Sequence, residues 1–367
     1  MASRILGRDS GIGKRWPYRA LNILPSKHIW RYLAWKSNSK ADKQAFDLGQ
    51  TLNDCGRMLI LLPDSLSEVL ICLPIIQSLL FKKTDLEIQF LTNQGHGIIL
   101  GSIFGNAEVL EIFPSDLFWG EPHFRGLEAG VKKFKPEVVL NFRDSTAPLL
   151  CYLLKISQAP VIVRLLSRVP NEEGDFENQY ANISLSCTET KNYLRRRMLI
   201  TSLWNFSKNP IQCKWSRLRP SPDHLKEAAA RIIARGLRPE STRLFLWQDS
   251  HKPFHQETFR AAIAQRHEAG ESKALAILVA SGEPFSGVIP NPEETSGLIC
   301  LEAETTGLLL GFFAQAAQAI GLNGPVLHLA SLTDIAVEAH FSEEESDFDT
   351  SFLNPKLKVQ HRKSRPA

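Results

Sequence analysis

Apolar residues are distributed along this chain in two alternating patterns. Short continuous apolar runs of strand length are separated by longer segments in which apolar residues recur every three or four positions, the spacing of an amphipathic helix. Continuous apolar runs are typical of parallel strands that helices cover on both faces. The predicted strands are 57–62, 86–91, 109–113, 138–141 and 161–165, followed by 242–247, 274–280, 297–301 and 335–341. The pattern therefore predicts an α/β protein built from two successive sheets.

The segment 207–224 separates the two groups of strands. It holds three prolines and little periodicity, which is typical of a linker. The helix predicted after it, 225–236, ends at a glycine. The predicted organisation is an N-terminal extension at 1–56, a first Rossmann-like domain at 57–206, the linker at 207–224, a second Rossmann-like domain at 225–341 and a charged tail at 342–367.

The first predicted strand leads directly into a helix that begins with a carboxylate. Pro63 and Asp64 end the apolar run. Ser65 or Ser67 can cap the helix that follows, so that Glu68 falls in its first turn. Ligands of open α/β sheets bind at the carboxyl ends of strands, beside helix N-termini. Glu68 is therefore a candidate reactive group, although a first-turn glutamate is also ordinary helix capping.

The extension 1–56 differs in composition from the rest of the chain. It carries ten Lys or Arg against four Asp or Glu, and five of its residues are Trp or Tyr. Basic residues interleaved with aromatic ones suit the headgroup region of an anionic membrane. They also suit an additional helix packed on the first domain. We expect this extension to be dispensable for folding and to place the protein at a membrane surface.

Overall composition excludes several classes of protein. A formal net charge of +4 over 367 residues is too small to indicate nucleic-acid binding. No apolar run reaches the length of a membrane-spanning helix, and the first residues lack the apolar core of a secretory signal, so the expected compartment is the cytoplasm. The six cysteines form no Cys-x-x-Cys pair, which argues against a zinc site. Asp347 and Asp349 have the spacing of a metal-binding pair but lie in the charged tail, where solvated side chains are expected.

The stretch Arg57 to Phe81 resembles the N-terminal signature of glycosyltransferase family 9, the heptosyltransferase-like enzymes of lipopolysaccharide assembly. Leu73-Pro74 matches the Leu-Pro pair of that signature, and Ser67-Glu68 stands where the family has Gly-Asp. The family's Asp is its catalytic base. The resemblance therefore implies that Glu68 is the base here, and Asp64 is a second candidate nearby.

The resemblance continues at two loops of the second half. Lys252 matches a family lysine that approaches the donor's phosphates, and the alternative is a solvated loop lysine. The second loop, Ala319 to Leu332, resembles the family's Asp-Ser/Thr-Gly-x-x-His-Leu loop. Asn323, Gly324 and Pro325 stand where the family has Asp, Ser or Thr, and Gly, and His328 matches the His. A lone histidine beside an apolar helix, here predicted at 308–320, is otherwise a residue of the core.

The resemblance implies a GT-B fold, in which two Rossmann-like domains face each other across a cleft. It implies a glycosyltransferase that moves a sugar with inversion from a nucleotide-sugar donor to a lipopolysaccharide, lipid-linked or other glycan acceptor. No metal ion or other cofactor is implied, and no nucleic acid. The second half would hold the donor and the first half the acceptor. The composition of the extension adds the expectation that the protein is peripheral at the inner face of the cytoplasmic membrane. The alternative is a degenerate GT-B module that binds a glycan or a partner protein without turnover.

Overall fold

The computed structural model describes most of both predicted domains. The described residues are 47–105, 107–113, 122–143, 146–166, 180–181, 183–187, 192–205, 217–247, 253–285, 287–290, 295, 297–342, 354 and 356–362. Most of the extension, the loop that carries Lys252, and the Asp347 and Asp349 pair lie outside them.

The first half forms one parallel sheet of six strands covered by helices. Its order across the sheet is β3-β2-β1-β4-β5-β6. The strands are β1 (Arg57–Leu61), β2 (Glu87–Asn93), β3 (Glu108–Ile112), β4 (Val138–Asn141), β5 (Val161–Leu166) and β6 (Ile183–Ser186). The helices are α1 (Leu48–Asp54), α2 (Leu66–Lys82), α3 (Gly97–Phe104), α4 (Pro122–Phe134), α5 (Pro148–Ile156) and α6 (Asn192–Trp204).

The second half repeats this architecture with a second parallel sheet of six strands. Its order is β12-β11-β10-β7-β8-β9. The strands are β7 (Arg243–Leu246), β8 (Leu275–Ala280), β9 (Ile299–Ala303), β10 (Gln318–Leu322), β11 (Ala336–Ser342) and β12 (Leu357–Arg362). The helices are α7 (Pro222–Ala234), α8 (Pro253–Glu268), α9 (Thr306–Gln315) and α10 (Pro325–Ser331), with single 3₁₀ turns at Pro239–Ser241 and Ser272–Ala274.

Both halves have the same strand order, which is that of a doubly wound sheet. In each half, the first and fourth strands lie side by side and the chain winds outward from them in opposite directions. The switch point lies between β1 and β4 in the first half and between β7 and β10 in the second. Ligands of such sheets bind outside the carboxyl ends of the strands at this point. The fold thus provides two candidate binding places, one in each half.

The apolar pattern of the predicted strands corresponds to real burial. In β1, every residue after Arg57 is buried, and all six residues of β8 are buried. This is the burial of central parallel strands with helices on both faces. No helix among the described residues has the length and apolar character that crossing a membrane requires.

The structure corrects the predicted helix 308–320. Helix α9 ends at Gln315, and Gln318–Leu322 is the strand β10 at the centre of the second sheet. The run is apolar on both sides of this boundary, so periodicity alone does not separate a buried helix from a buried strand. Gly321 suits the strand, because a Cβ at that position would lie 3.1 Å from the Cβ of Leu246 on the neighbouring strand β7.

Three further predictions about the ends of the domains differ from the structure. Helix α7 begins at Pro222, inside the predicted linker. The predicted charged tail contributes β12, which pairs in parallel with β11 at the edge of the second sheet. Within the predicted extension, residues 48–54 form α1, and Leu52 has no exposed surface. The strand β6 in the first sheet was not predicted, since Ile183–Ser186 is short and only partly apolar.

Candidate active site

Asp64 lies at the switch point of the first half, just beyond the carboxyl end of β1. Its Oδ1 atom lies 2.5 Å from Nη1 of Arg143, which follows β4. The backbone carbonyl of Asp64 accepts a hydrogen bond of 3.0 Å from the side-chain amide of Asn93, the last residue of β2. Three neighbouring strands thus bring one polar side chain each to a single edge of the sheet.

Arg143 is the central member of this group. It is buried, and its Nε donates to the carbonyl of Leu62 at 2.9 Å while its Nη2 donates to Oδ1 of Asn93 at 2.7 Å. Burial lowers the pKa of Arg143, and the carboxylate of Asp64 opposes that shift. In the ion pair the arginine side chain is 7% exposed and the aspartate side chain 64% exposed. Solvent therefore meets the carboxylate of the pair rather than the guanidinium.

The loop between β2 and α3 completes this edge. Burial, and after it the charge of Arg143, lowers the pKa of His96, and its Nδ1 lies 3.2 Å from Oγ1 of Thr92. The backbone N–H groups of Gly95 and Gly97, at the start of α3, both donate to Oε1 of Glu111, at 3.1 and 2.9 Å. The carboxylate of Glu111 therefore occupies the anion-binding position at the N-terminus of α3, which faces this edge.

Glu68 occupies the first turn of α2, as predicted. Of the two predicted caps, Ser65 is the N-cap, and its Oγ accepts from the N–H of Glu68 at 3.3 Å. The carboxylate, 24% exposed, pairs with Arg196 of α6 at 3.5 Å. The same buried guanidinium donates to the Glu68 carbonyl at 3.2 Å and contacts Sγ of Cys72 at 2.9 Å. Arg196 thus holds both the backbone and the side chain of Glu68 from inside the domain.

The switch point of the second half carries the second predicted loop. Asn323 follows the carboxyl end of β10 and is half-buried, and Gly324 is the N-cap of the short helix α10. Pro325 occupies the first position of that helix, where a missing N–H costs no intrahelical bond. Gly324 has extended backbone geometry, which any residue can adopt, so the turn itself does not demand a glycine.

His328 lies on α10 and has no exposed surface. This helix packs against α2 of the first half, and burial lowers the pKa of the histidine to about 4, with the backbone of Ser67 opposing the shift. Ser67 directly precedes Glu68. The structure therefore brings the loop that follows β10 and the start of α2 together across the domain interface, with a neutral histidine between them. Lys252, which follows β7 in the sequence, lies outside the described residues.

Comparison with known proteins identifies the fold. Neither a protein-family model nor a curated protein sequence matches the chain. Among solved structures, the family 9 glycosyltransferase of Veillonella parvula superposes with a TM-score of 0.61 at 12% identity, covering 88% of this chain and 90% of that one. The chain has the GT-B fold of the family 9 heptosyltransferases.

Two E. coli enzymes of that family give the same result. The ADP-heptose lipopolysaccharide heptosyltransferase II superposes with a TM-score of 0.59 at 13% identity, over 83% of this chain and 90% of that one. The heptosyltransferase WaaC with ADP gives 0.54 at 13% identity, over 83% and 93%. The predicted fold class is confirmed, and these identities show a shared fold rather than a shared substrate.

Sequence reasoning did not assign roles to several residues of the site. Arg143 and Asn93 each follow a predicted strand by two residues, and Arg196 is one of three consecutive arginines. The available signal was position, since Arg143 and Asn93 each lie at the carboxyl end of a predicted strand. Arg196 gave no such signal, because its contact with Glu68 depends on how α6 packs on α2.

Proposed function

We propose that the protein is an inverting, metal-independent glycosyltransferase that moves a sugar from a nucleotide-sugar donor to a hydroxyl of a glycan acceptor. The observation that supports this most directly is the contact between α10 and α2. It sets the loop after the second sheet's switch point beside Glu68 at the first sheet. A donor in the second half and a carboxylate base in the first would then face each other at one interface.

The donor is assigned to the carboxyl ends of β7 and β10. Asn323 lies there, and Lys252 belongs to the loop that leaves β7. A lysine is a point charge suited to a diphosphate. WaaC, whose fold this chain shares, is known with ADP and with ADP-2-deoxy-2-fluoro heptose. These complexes support a nucleoside diphosphate sugar as the donor class, and Gly324 and Pro325 would shape the turn beside it.

Glu68 is assigned the role of general base. In the proposed step its carboxylate takes the proton of an acceptor hydroxyl, the hydroxyl oxygen forms a bond to the anomeric carbon, and the bond from that carbon to the diphosphate breaks. The diphosphate leaves with the electron pair. A base must come within about 3 Å of the proton that it removes. Arg196 would fix Glu68 for this task while leaving part of the carboxylate accessible.

The assignment of Glu68 is tested by Glu68→Gln. We expect the variant to bind donor normally, measured by calorimetry, and to lose about 10² to 10⁴ in turnover, the usual contribution of a positioned base. Glu87→Gln is the matched control. Glu87 is exposed at the first residue of β2, at the end of the strand away from Asn93 and the candidate site, so the same substitution there should leave turnover unchanged. Transfer that is indifferent to Glu68→Gln but abolished in Asp64→Asn would move the base to Asp64.

The acceptor is proposed to be a lipopolysaccharide or another lipid-linked glycan, met at the inner face of the cytoplasmic membrane. The basic and aromatic composition of residues 1–46 supports this location.

The alternative function is a GT-B module that binds a glycan or a partner protein without turnover. Glu68 and Asn323, which stand where the family pattern has Asp residues, favour it. Donor binding without transfer to any lipid-linked acceptor would establish that alternative.

A further inference from the structure

We infer that the edge formed by Asp64, Asn93 and Arg143 binds adjacent hydroxyl groups of an uncharged sugar in the acceptor. The inference rests on the proposed function and gives that function a substrate class. The three side chains come from the ends of β1, β2 and β4, so they surround the switch point of the first sheet.

The first argument is accessibility. Asp64 is the exposed member of its ion pair, at 64%, and its Oδ1 atom takes Arg143 and, at 3.5 Å, the amide of Asn93. The described residues offer no partner to the other carboxylate oxygen. A carboxylate accepts hydrogen bonds and has none to donate. A ligand that reaches this carboxylate must therefore donate the hydrogen bond. Sugar hydroxyl groups can do so, whereas an ionised phosphate or carboxylate cannot and is repelled.

The second argument is charge balance. The charge of Arg143 is cancelled by Asp64 at 2.5 Å, and Arg196 is paired with Glu68. The N–H groups at the start of α3 are taken by Glu111. The pKa of His96 is lowered, so that its ring is neutral at neutral pH. These groups leave no surplus positive charge to attract an anion, nor a surplus negative charge to attract a cation.

The third argument is location. The loop that follows Asn93 and carries His96 reaches the second half of the molecule, because a Cβ at Gly95 would lie 3.5 Å from the Cβ of Pro284 in the loop after β8. The polar edge therefore borders the same domain interface as Glu68, which follows Asp64 by four residues in the chain, in the first turn of α2. A sugar held at Asp64 would be next to the carboxylate assigned as base.

The experiment compares two matched ligands on the full chain. Methyl α-glucopyranoside is the neutral probe, and methyl α-glucuronopyranoside is the same ring with a carboxylate. Binding is followed by ligand-observed NMR titration. We expect the neutral probe to bind at least about 10-fold more tightly than the uronate, which is the scale of one lost charge-assisted contact plus repulsion.

The deciding variant is Asp64→Asn, which removes the carboxylate and uncovers the charge of Arg143. We expect the preference to reverse, with weaker binding of the neutral probe and tighter binding of the uronate. Asp85→Asn, at an exposed turn before β2, is the control and should keep the wild-type order. Asn93→Ala, which keeps the charges of Asp64 and Arg143, should weaken binding of the neutral probe without creating a preference for the uronate. Melting temperatures confirm that each variant is folded.

Several outcomes would overturn the inference. They are a wild-type preference for the uronate, no detectable binding of the neutral probe, and an unchanged preference in Asp64→Asn. The outcomes for the proposed function are separate. Neutral-sugar binding at Asp64 without any transfer would support the neutral-sugar site and contradict the proposed transferase activity. Transfer to an acceptor whose reacting sugar carries a phosphate or carboxylate would support the transferase and overturn the neutral-sugar site.

Discussion

At the scale of single residues, His328 shows how burial converts a histidine into a pH-dependent element of stability. The ordinary pKa of a histidine is 6.5, and burial lowers that of His328 to about 4. Between these values the unfolded state binds more protons than the folded state, so stability falls as the pH decreases through this window. We expect a loss of about 2 kcal/mol in the free energy of unfolding between roughly pH 7.5 and pH 5 through this residue.

Urea unfolding at the two pH values measures that loss. His328→Leu has no titratable group at this position. The free energy of unfolding of this variant should therefore differ between the two pH values by about 2 kcal/mol less than that of the wild type. His123→Gln is the control, because His123 is exposed on α4 and its replacement should leave the difference intact. Equal pH dependence in the wild type and in His328→Leu would contradict the assignment.

At the scale of elements, the packing of α7 on α9 depends on two glycines. A Cβ at Gly311 would lie 2.5 Å from the carbonyl oxygen of His224, and a Cβ at Gly307 would overlap the ring of the same histidine. A backbone carbonyl in a helix cannot rotate away. We therefore expect Gly311→Ala to destabilise the protein by about 1–3 kcal/mol through overpacking, although alanine is the better helix former.

Gly101→Ala provides the matched comparison for this prediction. Gly101 lies in α3, and a Cβ there would meet nothing within 4 Å. The same substitution should then stabilise by about 0.5–1 kcal/mol through helix propensity alone. Denaturant midpoints of the two variants measure both effects. If Gly311→Ala were as stable as Gly101→Ala, α7 and α9 would not be in the close contact described.

At the scale of the whole molecule, the boundary of the N-terminal extension follows from α1. Leu52 is fully buried and Cys55 nearly so, and both belong to the main core. A chain that begins at Cys55 loses Leu52, and we expect it to be less stable by about 2–5 kcal/mol, the range for truncating a buried leucine. A chain that begins at Asp47 keeps the helix together with its N-cap and should unfold like the full chain. Thermal unfolding distinguishes the two truncations.

The same truncation tests the predicted role at the membrane. The first 46 residues carry ten of the chain's Lys and Arg residues against two Asp. Each basic residue near an anionic surface contributes on the order of 1 kcal/mol. We expect the full chain to co-sediment with anionic liposomes at low salt and the chain from Asp47 to remain in solution, with the difference lost at high salt. Identical, salt-insensitive behaviour of both chains would contradict the prediction.

The sequence by itself determined the elements whose character is local. The runs at β1, β4 and β8 are continuous and apolar, and strands formed there within one or two residues of the predicted bounds. The sequence placed the start of α2 at Ser65 or Ser67, because capping involves residues only three apart in the chain, and the structure shows Ser65 as the cap. The fold class followed from the alternation of such elements, and the structural comparison confirms it.

The tertiary structure decided what depends on residues far apart in the chain. Gln318–Leu322 is a strand because it fits between β7 and β11, which its own periodicity does not reveal. The edge strand β12 forms from a charged segment because β11 offers an open row of backbone groups. The pairing of Asp64 with Arg143 and the burial of His328 against α2 likewise arise from strand order and domain packing. These contacts bring together side chains that no local pattern connects, so only the folded chain determines which polar groups share a site.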